Sequence, residues 1–142
     1  MVKSFDLSKL DEVMKIWLES NITAHSFIPE QFWEDNFDTV KELLPQAEIW
    51  VYEDKEAIKG FIGILNQSYI AGLFVSNQYQ SKGIGSKLIE KCKQLHPVLC
   101  LDVYVKNQKA IRFYKRHGFK IEQEKENSLT GEKEYFMRRS KA

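Results

Sequence analysis

The chain has 142 residues, 21 Lys and Arg against 20 Asp and Glu, a formal net charge of +1, and 43% hydrophobic residues. That length fits a single domain, residues 1–142, able to bury a core without disulfide or metal clips. So even a charge balance argues against a broad grip on nucleic acid or an anionic membrane.

No apolar run approaches the roughly 20 residues of a membrane span, and Met1 to Phe5 lack the character of a secretion signal. Cys92 and Cys100 sit in apolar surroundings without a CxxC spacing, so buried free thiols in a reducing cytoplasm are expected. His25, His96 and His117 are far apart in sequence, and no metal is implied.

In chain order, a short strand is expected at Val2 to Phe5. Leu7, Leu10, Met14, Trp17 and Ile22 then recur at helical spacing, with Ser8 or Asp6 as cap. A second helix is expected from Pro29 through Phe32, Trp33, Val40 and Leu43, stopping before Pro45. Ile49, Val51 and the run Ile58 to Leu65 read as strands around the charged turn Asp54, Lys55, Glu56, and Tyr69 to Val75 reads as another. Lys82, Gly83, Ile84 and Gly85 open a helix with Ile84, Leu88, Cys92 and Leu95 on one face, ending by Pro97. A buried strand, Val98 to Val105, leads into a helix lined by Ala110, Phe113, Tyr114 and His117, which Gly118 stops. The tail reads as a hairpin, Lys120 to Glu126 and Glu134 to Arg139. The order implies an α/β or α+β sheet with crossovers.

Chemistry concentrates in two segments. In Gln80, Ser81, Lys82, Gly83, Ile84, Gly85 a glycine-rich turn starts a helix, so unpaired backbone amides and the helix dipole converge on one point, a natural pyrophosphate seat. Lys82 and Lys87 stand to add charge. The pattern is neither a Walker A loop nor a GxGxxG dinucleotide fingerprint. The second segment, Asn107 to Phe119, reads N-x-x-A-x-x-F-Y-x-x-x-G-F.

Together the two segments resemble the core of the GNAT family of acetyl-CoA-dependent N-acetyltransferases, whose first pattern is Q/R-x-x-G-x-G/A and whose second is the one just quoted. Trp17 to Ser20, His25, Phe27, Ile28, Phe32 and Trp33 further resemble the bacterial peptidyl-lysine acetyltransferases of that family. The resemblance implies a mixed, mostly antiparallel sheet of about seven strands with about four helices, splayed between the fourth and fifth strands. It also implies direct transfer of acetyl from acetyl-CoA, without metal, to an amine on a protein, peptide or small molecule. Either a monomer or a homodimer is expected, since an exposed strand of the C-terminal hairpin is able to pair but nothing requires it.

On that resemblance the pantetheine arm pairs with backbone at Phe74 and Val75. The pyrophosphate rests on Ser81, Lys82, Gly83, Ile84, Gly85 and Ser86 beside Gln80, and Asn107 holds the arm or its loop. Tyr114 takes the place of the general acid. The base is open between Asp102, twelve positions before Tyr114, and His25, since the strand Tyr69 to Val75 carries no glutamate. Between Leu101 and Val103, Asp102 requires a polar partner. Phe27 and Trp33 are candidates, with His25, for walling the acceptor site. Lys106, Lys109, Arg112, Lys115 and Arg116 form a basic run able to reach phosphates. A small-amine acetyltransferase and a non-catalytic acyl-CoA sensor remain alternatives to a protein-lysine enzyme.

Overall fold

In the computed structural model, which describes residues 1–141, alternating apolar residues build the sheet outward from one tight hairpin. Strands β2 (Glu48–Asp54) and β3 (Ala57–Leu65) pair antiparallel, with Asp54 opposite Ala57. The two residues between, Lys55 and Glu56, both take positive φ (53° and 65°), as a turn matching the twist of its strands requires. β1 (Val2–Ser4) pairs with β2 on one side, and β4 (Tyr69–Val75) with β3 on the other. β5 (Val98–Tyr104), β6 (Lys120–Glu126) and β7 (Lys133–Ser140) complete seven strands in the order β1-β2-β3-β4-β5-β7-β6. Among the described residues only β4 and β5 run parallel.

Helices cover both faces. α1 (Leu10–Ala24) and α2 (Glu30–Leu43) lie on one, burying Val13, Met14, Trp17 and Trp33 against Val51 and Phe61. On the other, α3 (Ile84–Leu95) and α4 (Gln108–Arg116) bury Leu88, Ile89 and Tyr114 against Ile62, Leu101 and Met137. Leu101 sits in this second cluster at 2% exposure. Leu101→Ala is therefore expected to cost about 2–5 kcal/mol in urea unfolding, the range for a buried cavity. A loss under about 1 kcal/mol would mean that the layer collapses to fill the space.

β4 and β5 stay together only at Tyr69 and Cys100, where the Cys100 N–H also donates to the Ser68 carbonyl at 2.8 Å. Just beyond, Gly63 faces Gly72 while Ile64 faces Ile70, so Ala71 is an extra residue that bulges β4. A bulge bends its strand, and the two strands separate from here on. The absence of a side chain at Gly72 lets the Phe74 ring lie on the backbone at the opening; a Cβ there would meet that ring at 2.2 Å.

Several expectations need correction. Asp6 caps a short 3₁₀ turn, Leu7–Lys9, by accepting from the Ser8 N–H, and α1 itself starts only at Leu10. Leu7 (61% exposed) and Leu95 (47%) are off the buried faces because each lies at a helix end, past the reach of the sheet. Pro29 precedes the first helical residue, with extended ψ of 139°. Cys100 is half-buried, since it shares its face of β5 with Asp102 rather than with Leu101. No helix among the described residues is long and apolar enough to cross a membrane.

Candidate functional site

The opening between β4 and β5 continues into a cavity of about 420 Å³ at the start of α3. The β4–α3 turn shapes it through two residues at positive φ, Ser81 (64°) and Gly83 (80°). Gly83 is the N-cap and has no side chain to cap with, and the first helical bond runs from the Lys87 N–H to the Gly83 carbonyl. The amides of Ile84, Gly85 and Ser86 thus have no intrahelical partner, which concentrates positive potential at the cavity.

Of the residues singled out in sequence, Phe74, Val75, Gln80, Ser81, Gly83, Ile84, Gly85, Ser86, Asn107, Tyr114 and His25 all line this cavity. Lys82 is exposed and outside the lining. Lys87 lies instead over the Tyr52 ring, in a shallow groove on the other side of α3. From the basic run, Lys109, Arg112 and Arg116 reach the cavity on one face of α4, whereas Lys106 is paired with Glu132 at 3.1 Å.

Two amides brace the walls. Gln80 donates to the Val75 carbonyl at 3.2 Å and accepts from Lys109 at 3.1 Å, so that carbonyl is not wholly free as expected. Asn107 caps α4 by accepting from the Ala110 N–H at 3.2 Å and donates to His25 Nε2 at 3.2 Å. With Nε2 accepting, the His25 proton sits on Nδ1, which is buried without a partner. The His25 ring stacks on Trp33 at 5.3 Å and meets Tyr104 edge-on at 5.0 Å. Burial there lowers its pKa to about 4.

Tyr114 is 8% exposed, and burial alone pushes its phenol up. Phe27 and Trp33 do not line the cavity. Trp33 packs against Trp17 and Phe32, and Phe27 meets Tyr104 edge-on at 5.6 Å beneath Lys106.

Asp102 is also outside the cavity lining. Leu101 and Val103 point into the cluster that holds Tyr114, so Asp102 between them projects from the opposite face of the sheet. Its partners are the Tyr69 hydroxyl, donating to Oδ2 at 2.7 Å, and Lys125 Nζ, 2.9 Å from Oδ1. Burial and then the Asp102 hydrogen bond raise the Tyr69 phenol; the Asp102 bond is the main cause raising Lys125. Burial, with Asp102 nearby, also lifts the Glu134 carboxyl above its usual range. Asn21 and Leu73 line the cavity unannounced by any motif, and Ser20 joins them from the segment that carries the resemblance. Ser20 and Asn21 do carry one signal, being polar residues on the buried stripe of α1.

The chain matches the family model of the acetyltransferase (GNAT) domain over residues 45–121. It is 37% identical over 122 residues to peptidyl-lysine N-acetyltransferase YiaC of Escherichia coli strain K12, covering 85% of this chain and 84% of YiaC. To peptidyl-lysine N-acetyltransferase YjaB of the same organism it is 30% identical over 112 residues, 78% of this chain and 76% of YjaB. Its fold superposes on the solution structure of apo-form YjaB with a TM-score of 0.86 at 24% identity, covering 100% and 98% of the two chains. The PaiA N-acetyltransferase of Thermoplasma acidophilum, solved in complex with coenzyme A, gives 0.84 at 18% identity, covering 99% and 98%.

Proposed function

Because the chain belongs to the GNAT acetyltransferases, we propose that it moves acetyl from acetyl-CoA to the amine of a lysine in a protein or peptide. The observation that carries the reading is the helix start with three free amides opening onto a strand edge that has left its neighbour. Those amides suit a pyrophosphate, and the unpaired edge from Leu73 to Val75 suits an extended, amide-bearing arm. A Cβ on Gly85 would stand 3.4 Å from the Phe113 ring and 3.8 Å from Val75 Cγ2, filling the cradle between them. Lys109, Arg112 and Arg116 supply the counter-charge for phosphates. The donor set fits.

When bound, acetyl-CoA supplies an activated thioester. Tyr114 holds a proton at its hydroxyl, facing the cavity, and offers it where negative charge grows on sulfur. Asp102, on the opposite face of the sheet, accepts a proton from the incoming ammonium through water. Gln80 and Asn107 fix the walls, and Ser81 to Ser86 seat the phosphates with Lys82 at the rim. His25, neutral across the physiological range, orients Asn107 and is backed by Trp33, while Phe27 beside Tyr104 offers an apolar face to the acceptor's methylene chain.

The reading extends to one domain, residues 1–142, acting in the cytoplasm as monomer or homodimer, apart from nucleic acid and membrane. Mass spectrometry of lysine peptides and small amines incubated with acetyl-CoA tests it, against a no-enzyme control that measures spontaneous acetylation. Enzyme-dependent acetyl-lysine on peptides is the expected result. Modification of small amines alone would overturn the acceptor, and no transfer to anything would overturn catalysis.

A further inference from the structure

Ser86, the third residue of α3, lines the cavity and, with Glu90, the groove on the other side of the helix, and it belongs to a hydrogen-bonded relay that the proposed reaction does not use. Its Oγ lies 3.0 Å from His117 Nε2, and His117 Nδ1 lies 3.2 Å from Glu90 Oε1. Glu90 is one helical turn beyond Ser86 on α3, so both side chains meet the imidazole that ends α4. A carboxylate only accepts, so the nitrogen facing Glu90 carries the hydrogen. In the neutral ring Nε2 must then accept, and it takes the Ser86 hydroxyl hydrogen. Ser86 is left showing lone pairs to a cavity whose other groups, the free amides, are donors.

Protonation reverses this. Nε2–H now donates to Ser86 Oγ, and the hydroxyl hydrogen is released toward the cavity, next to a new positive charge. We propose that His117 is a positioning residue for the donor's pyrophosphate, turning the Ser86 hydroxyl so that binding tightens as pH falls. The proposal rests on the reading of the α3 start as the pyrophosphate seat.

The groups around the ring set where this happens. Glu90, kept ionised by Lys93 at 2.9 Å, favours the imidazolium; burial, Lys93 and Arg116 oppose it, and the Phe113 ring packs at 4.7 Å. Arg139 of β7 packs beside Gly118, one residue on. The balance lowers the His117 pKa in the free protein. An anion at Ser86 raises it again, and by linkage a ligand that raises a pKa binds more tightly as the group protonates. The other titrating groups on the cavity fall outside the window, since His25 protonates only near pH 4 and Tyr114 is raised.

The probe is dephospho-coenzyme A, which keeps the pyrophosphate but lacks the 3′-phosphate that itself titrates near neutrality. Calorimetry from pH 8.0 to 5.5 is expected to show Kd falling several-fold, toward the roughly tenfold limit that a one-unit rise in pKa sets, with net proton uptake on binding. In His117→Gln, whose amide does not titrate, Kd should be flat. A pH-independent Kd in the unmodified protein, or a slope kept by the variant, overturns the relay while leaving the seat intact. No binding at any pH overturns both. Should the variant not fold, histidine NMR of the unmodified protein decides: the His117 pKa must rise by about one unit on saturation, and an unmoved value overturns the proposal.

Discussion

Tyr114→Phe will lower kcat by about a hundredfold to a thousandfold while changing the KM for acetyl-CoA by no more than about twofold. The magnitude is that of losing one donor aimed at developing charge in a site shielded from water. Burial, its only perturber, keeps the phenol protonated throughout the working range, so the loss should be the same at every pH. Since no hydrogen bond within the protein contributes to that shift, the substitution removes a hydroxyl without orphaning a partner. The ring stays packed against Phe113 and Phe119, and the unfolding midpoint should be unmoved. Full activity across the pH range would remove Tyr114 from the mechanism.

Much of this site was legible because its signals are local. Gly83 with positive φ before α3, Pro97 after it, Asn107 capping α4 and Gly118 ending it each act within a few residues. Alternation marked the strands, and the two motifs resembling the GNAT core carried the order in which they assemble. What stayed hidden depends on partners distant in sequence. Asp102 was expected to need a polar partner; nothing near it names Tyr69 or Lys125, which only the register of β4, β5 and the terminal hairpin brings together. Lys87 reads like Lys82 in sequence, yet helical rotation carries it onto Tyr52. Phe27 and Trp33 fall away from the cavity because stacking on Tyr104, Trp17 and His25 buries more apolar surface than lining an opening. The splay itself turns on one inserted residue, Ala71, which no composition or period reveals.

Asp102→Asn separates two roles that the structure leaves on one carboxylate. As the proton acceptor, Asp102 lets the enzyme use an acceptor lysine that is almost wholly ammonium at neutral pH. Its loss would leave only the small neutral fraction of amine to react. Activity of the variant should then climb roughly tenfold per pH unit toward the lysine pKa, about a hundredfold below the unmodified enzyme at pH 7 and within a few-fold by about pH 9.5. As a structural anchor, Asp102 instead holds Lys125 and the Tyr69 hydroxyl. Raised by Asp102, Lys125 contributes stability that is present below its unfolded pKa and lost as pH rises through the folded value. The anchor role therefore predicts a stability loss that stays level from about pH 6 to 10, below the Lys125 pKa in both states, with a rate profile parallel to that of the unmodified enzyme. Melting temperatures and kcat/KM from pH 6 to 10, measured on the same preparation, distinguish the two: a steeper rate profile assigns the base, and a parallel one returns Asp102 to the framework.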